Sequence, residues 1–249
     1  MDITSAVILG IVQGLTEFLP VSSTAHLLIV PKILGIANPG VAFDVMLHLA
    51  TALAIVMYFF DDIITIITKM PKMIWLLILG SIPTGLMGFF LKDYFESFFH
   101  AGIWTGVFLI ITGCLLFISE KLATGEKNLD KTRWYDAVII GFFQGLAIMP
   151  GLSRSGSTIA AALFRGLNKT LATRFVFLLA LPAILGAGLL EFKEISNLPK
   201  EPAIYGFIAA LVSGLIAIKI FIQLLQRGKI RIFSWYCWAL GIFLCIKSF

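Results

Sequence analysis

Residues 6–15 read AVILGIVQGL and residues 137–146 read AVIIGFFQGL, with seven of ten positions identical at an offset of 131. The same offset pairs Ser22 with Ser153, Gly35 with Gly166, Trp104 with Trp235 and Cys114 with Cys245. An echo at so long a period marks a duplicated architecture, with halves at 1–125 and 132–249 of one domain covering 1–249. Behind each copy stands a polar run in an otherwise apolar chain: PVSSTAHL from Pro20 and PGLSRSGST from Pro150. Polar groups at membrane depth are costly and usually functional, so the duplication also points to where the chemistry lies.

The chain is 59% hydrophobic and 13% charged, with a mean hydropathy of +0.98. A soluble domain would carry about 25% charged residues, so this composition belongs to an integral membrane protein. Six runs are apolar enough to cross a bilayer, at about 43–60, 74–91, 103–119, 175–191, 204–223 and 232–249; about 18 residues reach about 27 Å as a helix. Segments 5–35 and 136–166 differ. Each starts as a helix, is interrupted by Pro with Ser and Thr around it, and turns apolar again before a glycine. Either could be a span that tolerates its polar residues. The preferred reading is a re-entrant hairpin, because irregular backbone at membrane depth survives only where protein or a wet cavity surrounds it. Paired interruptions in two halves also point to a midplane site. The expected fold is therefore all-α and integral to the membrane: an inverted-topology repeat of six transmembrane helices plus two re-entrant helical hairpins.

Charge placement supports that arrangement. The net charge of +5 does not signal nucleic acid, because the basic residues sit in short loops between apolar runs. With hairpins returning to their own sides, the loops 61–73, 119–135, 165–174 and 223–231, together with Lys219 near the end of the run before the last of these, share a face and hold thirteen Lys and Arg. The other face has five, Lys32, Lys92, Lys193, Lys200 and Lys247, and Arg154 lies inside the second hairpin. Basic loops face the cytoplasm, which predicts a multi-pass protein of the cytoplasmic membrane with both termini outside. Two full spans in place of the hairpins would move the 223–231 loop to the wrong side. Asp2, in place of a basic cluster, reads against a cleaved signal peptide. Cys114, Cys237 and Cys245 show no metal-ligand spacing and read as packing residues.

In the first hairpin the candidates are Gln13, Glu17, Ser22, Ser23, Thr24 and His26. Gln13 and Glu17, four apart, share a helix face. An acid, an imidazole and hydroxyls are the parts of nucleophilic or acid–base chemistry. The second hairpin offers Gln144, Gly151, Ser153, Arg154, Ser155, Ser157 and Thr158. A guanidinium cannot shed its charge, so burying Arg154 demands an anion, and its fork suits phosphate oxygens. A Gly/Ser turn at a helix start adds amide donors for the same anion. The blander alternative is a structural pair between Arg154 and Glu17. Asp44 and His48, also four apart, read either as supporting groups of the site or as interfacial residues. Pro83/Gly85 and Pro182/Gly186 read as kinks or close helix contacts.

At these motifs the chain resembles the undecaprenyl-diphosphate phosphatases of the bacitracin-resistance type. Gln13-GLT-Glu17-FL-PVSSTAH and Pro150-GLSRSGS-Thr158 are similar to that family's two signatures, in the same order, and the likeness covers essentially the whole chain. The resemblance implies hydrolysis of a polyprenyl diphosphate to the monophosphate lipid carrier of envelope glycans. It implies Glu17, His26 and Arg154 as essential residues, Ser23 as nucleophile, and a divalent cation, normally Mg²⁺. The polar residues of the two hairpins themselves suggest Gln13, Ser22, Thr24, Gln144, Gly151, Ser153, Ser155 and Thr158 as the substrate-binding set. Gln13 departs from the family, where some members carry a glutamate. Glu17 is then the single motif carboxylate, and it would share the metal with the substrate's diphosphate. The expected partners are that lipid and the bilayer, with a homodimer compatible and no nucleic acid. The rival class is an inverted-repeat transporter or flippase for an anionic polyprenyl lipid. It needs no nucleophile and so leaves the Ser23/His26/Glu17 grouping unused.

Overall fold

A computed structural model of the chain describes residues 1–36, 40–91, 94, 102–122 and 125–247. Those residues form twelve α-helices and no β-strand beyond an isolated bridge between Lys127 and Leu167. In chain order they are α1 (Ile3–Phe18), α2 (Ser23–Leu34), α3 (Val41–Tyr58), α4 (Phe60–Lys69), α5 (Pro71–Phe90), α6 (Gly102–Leu122), α7 (Trp134–Leu146), α8 (Arg154–Phe164), α9 (Lys169–Leu190), α10 (Phe192–Ser196), α11 (Lys200–Gln226) and α12 (Arg231–Lys247). Five of these, α3, α5, α6, α9 and α11, are long and apolar enough to cross a membrane. The chain is thus an all-α, multi-pass membrane protein. The sixth expected span is α12, 17 residues as described; residues 248 and 249 lie outside the described residues, as does Lys92.

One element departs from expectation. The loop expected at 61–73 contains α4. Asp61 and Asp62 in its first turn and Lys69 in its last suit the helix dipole, while Ile66 is buried. The chain bends between α3 and α4 at Phe59.

Helices α1, α2, α3, α5 and α6 each have a counterpart, α7, α8, α9, α11 and α12, starting within three residues of the 131 offset. Each opening helix packs on the other half: α1 lies along α11, and α7 along α5. Matched glycines make those crossings close. A Cβ on Gly10 would sit 2.3 Å from the Gly206 carbonyl oxygen, and one on Gly141 only 1.8 Å from that of Gly80. Small residues let helix backbones approach in this way. Helices α6 and α12 pair with each other, as do α3 and α9.

The four basic loops meet at one end of the molecule. Arg174 pairs with Asp62 at 3.0 Å, and Lys72 Nζ donates to the Asp130 carbonyl at 2.7 Å. The Arg231 N–H donates to Glu120 at 2.7 Å, and Lys169 Nζ to the Gln226 carbonyl at 3.2 Å. At that end Arg165, just past α8, donates from Nε to Asp136 Oδ1 in the first turn of α7 at 2.7 Å, with Lys127 3.4 Å away. The chain therefore enters α7 and leaves α8 at the same end. Burial opposes ionisation of Asp136, yet the Arg133 N–H, Arg165 and Lys127 outweigh it and hold this carboxyl below the usual carboxylate range. At the opposite end the start of α1 and of α3 pack with Ile36 and Leu198.

Candidate active site

Helix α1, capped by Asp2 on the Ser5 N–H, places Gln13 and Glu17 on its buried face. The chain leaves it at Leu19 and Pro20, and α2 begins at Ser23 with Ser22 as its N-cap. Ser22 has φ +67°, the one positive value at a non-glycine among the described residues. In the second half Ser153 caps α8 by accepting the Gly156 N–H at 3.1 Å. The preceding turn needs Gly151, at φ +95°, where a Cβ would lie 2.2 Å from the Thr105 carbonyl oxygen.

The two turns meet. Arg154 Nη2 reaches Glu17 Oε1 at 2.5 Å. Ser23 Oγ donates to Glu17 Oε2 at 2.7 Å, and Gln13 Nε2 donates to the same oxygen at 3.0 Å. Ser155 Oγ donates across the halves to the Leu19 carbonyl at 3.3 Å. His48 of α3 completes the cluster, its Nδ1 2.8 Å from Gln13 Nε2 and 3.2 Å from Glu17 Oε2. Without a proton that nitrogen accepts from Gln13; carrying one, in either the neutral or the charged ring, it donates to Glu17.

The Arg154–Glu17 pair weighed from sequence is therefore formed, but it does not exhaust the two groups. Arg154 Nη1 and Gln13 Oε1 are buried without a hydrogen-bond partner, and each unsatisfied group of this kind costs free energy. Beside them opens a cavity of about 1140 Å³. Ser22, Ser23, Thr24, Asp44, His48 and Arg154 stand on its polar wall, with Thr84 and Gln144 further round. Leu27, Leu28, Ile148, Ile184 and Ala187 give it apolar walls, and Lys32 also lines it. One end can hold an anion and the rest a hydrocarbon chain.

Glu17, Ser23 and Arg154 come together as expected, with Gln13 behind and Ser22, Thr24 and Gln144 on the cavity. His26 does not join them. Its ring is absent from the cavity wall, with Nδ1 2.8 Å from the Ser22 carbonyl and Nε2 2.6 Å from the Tyr236 hydroxyl. The expected phosphate donors Ser153, Ser155, Gly151 and Thr158 also stand off the cavity and build its turn instead: Thr158 Oγ1, for example, donates to the Arg154 carbonyl at 2.6 Å. Ser157 is fully buried. His48 and Asp44, ambiguous in sequence, lie at the site; their spacing of four was the available signal. Thr84, which accepts from Gln144 Nε2 at 3.2 Å, offered none beyond its place in Pro83–Gly85.

Among the described residues no group of three His, Cys, Asp or Glu could hold a metal, so an all-protein cage does not fit. Glu17, expected as the metal carboxylate, is already engaged by Arg154, Ser23 and Gln13. Among the described residues Asp44 is the carboxylate that lines the cavity; Glu17 stands behind its wall. Mg²⁺ binds through one or two carboxylates with waters and substrate phosphates, and that mode fits the oxygens available.

A family model described as bacitracin resistance protein BacA matches residues 6–243. Among curated relatives, an undecaprenyl-diphosphatase of Carboxydothermus hydrogenoformans is 44% identical over 97% of this chain and 96% of its own length. One of Halothermothrix orenii is 42% identical over 100% and 99%, and one of Methanosphaera stadtmanae 40% over the same shares.

Proposed function

The chain belongs to the bacitracin resistance protein BacA family, and from that premise we propose that it is a membrane phosphatase converting undecaprenyl diphosphate to the monophosphate and inorganic phosphate. The observation that carries the reading is the meeting of two turns, one from each half, at the polar end of a largely apolar cavity. A diphosphate seated there lies against Arg154 while its prenyl chain follows the apolar wall. Transport of an anionic lipid needs no hydroxyl held on a carboxylate, so the Ser23–Glu17 bond favours hydrolysis.

In the proposed reaction Ser23 Oγ attacks the terminal phosphorus and passes its proton to Glu17 Oε2, its hydrogen-bond acceptor. The new Oγ–P bond replaces the bridging P–O bond, whose oxygen leaves on the polyprenyl monophosphate. Arg154 steadies the phosphoryl charge, using Nη1 as the donor left unsatisfied in the protein. Water then attacks the phosphoserine, phosphate departs, and Ser23 recovers its proton from Glu17. A divalent cation arriving with the diphosphate would be held by Asp44 and would neutralise phosphate charge. Gln144 and Thr24 orient the bound lipid.

We read the chain as an inverted-topology repeat of six crossings, with α1–α2 and α7–α8 as its re-entrant hairpins. The Arg165–Asp136 closure and the gathering of the basic loops at one end support this. The decisive test is phosphate release from polyprenyl diphosphates of several lengths by purified protein in detergent, with and without chelator. Hydrolysis is expected, and binding without release would return the transporter reading.

A further inference from the structure

We propose that Tyr236, acting through His26, is a positioning residue: the pair holds the Ser22 carbonyl, and with it the turn that presents Ser23 to Glu17. The inference rests on the phosphatase reading and assigns His26 a role other than proton transfer with substrate.

Hydrogen bonding fixes the state of the ring. A carbonyl oxygen only accepts, so His26 Nδ1, 2.8 Å from Ser22 O, carries a proton. In the neutral ring Nε2 is then an acceptor, and it takes the Tyr236 hydroxyl at 2.6 Å. The two rings also stack, with centroids 5.7 Å apart and planes 8° from parallel. Both nitrogens are thereby occupied, and the ring is absent from the cavity wall, so His26 has no nitrogen free to turn toward a group seated there.

What it does meet is the most unusual backbone of the site. Ser22, at φ +67°, occupies a region that a side-chain-bearing residue keeps only when its surroundings over-determine it. Its carbonyl receives two donors, the His26 N–H at 3.3 Å and His26 Nδ1. Helix α12 touches the same turn again one residue on, where Cys237 Sγ donates to the Pro20 carbonyl at 3.4 Å. A helix of the second half therefore clamps both sides of the turn that carries the first half's serine. Misplacing a reacting group by about 1 Å costs about a hundredfold in rate, which is the scale at which this clamp acts.

Two amide replacements separate the roles. In His26→Asn an amide N–H falls where Nδ1–H stood; in His26→Gln it falls where Nε2 stood. Turnover of polyprenyl diphosphate by each purified variant in detergent is the measurement. We expect His26→Asn to keep kcat within about tenfold of wild type, His26→Gln to lose about a hundredfold, and KM to stay within about twofold in both. Tyr236→Phe, which deletes one oxygen from a half-exposed ring, should lower kcat about tenfold at unchanged KM. A base acting on substrate would be lost equally in both amides, so equal inactivation of the two overturns the proposal. Full kcat in Tyr236→Phe overturns it as well, and does so even if an amide variant fails to fold. Absence of hydrolysis by the wild-type chain would sink the phosphatase reading instead, which keeps the two failures distinct.

Discussion

Glu17 is the residue on which the site turns, because one carboxylate takes a cation on one oxygen and a hydroxyl and an amide on the other. Glu17→Gln keeps the shape but removes both the partner of Arg154 and the acceptor of the Ser23 proton. Loss of a general base lowers turnover by about 10²–10⁴, and we expect kcat to fall by that much in a phosphate-release assay. Arg154→Ala should abolish nearly all activity while the protein still inserts. Because the two act as one unit, combining Glu17→Gln with Arg154→Ala should cost at most about tenfold beyond the worse single variant, since effects within such a unit are non-additive. Ser23→Ala tests the nucleophile: substantial residual turnover would replace phosphoserine formation with direct attack by water. Glu17, Ser23 and Arg154 were legible in sequence because charge and hydroxyl inside an apolar run already require a partner. His26 was misplaced because proximity along the chain says nothing about which way a ring faces; one helical turn after Ser22, it bends back onto that carbonyl. His48 and Tyr236 arrive from α3 and α12, and only tertiary packing brings them near.

Helix pairs and turns carry predictions of their own. The interruption at Pro150 and the Gly/Ser turn opening a second helix were readable from residue types alone, whereas the helix end at Leu146 and the Ser153 cap were not. Helix α4 was missed because its two leading aspartates look like a solvated loop until Ile66 is seen to be buried. The α7–α8 hairpin is closed by Asp136, whose folded carboxyl stays ionised at lower pH than an unfolded one. Its contribution is therefore complete above the ordinary carboxylate range and is lost as pH falls through the depressed value. The thermal midpoint of the purified protein should drop on acidification below about pH 4, and Asp136→Asn should start lower at neutral pH and show a shallower acid decline. An unchanged acid limb in that variant would remove Asp136 from the closure. At the α5–α7 crossing, Gly141→Ala puts a methyl into the Gly80 carbonyl. Overpacking of this kind costs about 1–3 kcal/mol, so a lower melting temperature is expected, whereas Gly85→Ala, with nothing within 4 Å of the added carbon, should melt like wild type.

At the scale of the whole molecule, two turns far apart in the chain make the site: each alone supplies part of the polar groups, and Glu17 of one balances Arg154 of the other. The offset of 131 was enough to see that two turns exist, but whether they touch depends on α1 crossing to α11 and α7 to α5, which no local pattern encodes. The proposed repeat also carries a prediction about sidedness. Loops from both halves gather at one end through Arg174–Asp62, Lys72–Asp130 and Arg231–Glu120, and that end holds most of the basic residues. On the proposed topology, the bias of Lys and Arg toward cytoplasmic loops predicts that this end lies inside and the termini outside. Lys131 and Lys193 are exposed in the loop between the halves and in α10, so they can report the two faces. Cys114 and Cys245 would first be changed to alanine, while Cys237 is buried and stays. A membrane-impermeant maleimide should then label Lys193→Cys in intact cells but Lys131→Cys only in inverted vesicles. Labelling of Lys131→Cys from outside would reverse the orientation, and labelling of both from one side would break the three-crossing count in the second half on which the inverted repeat depends.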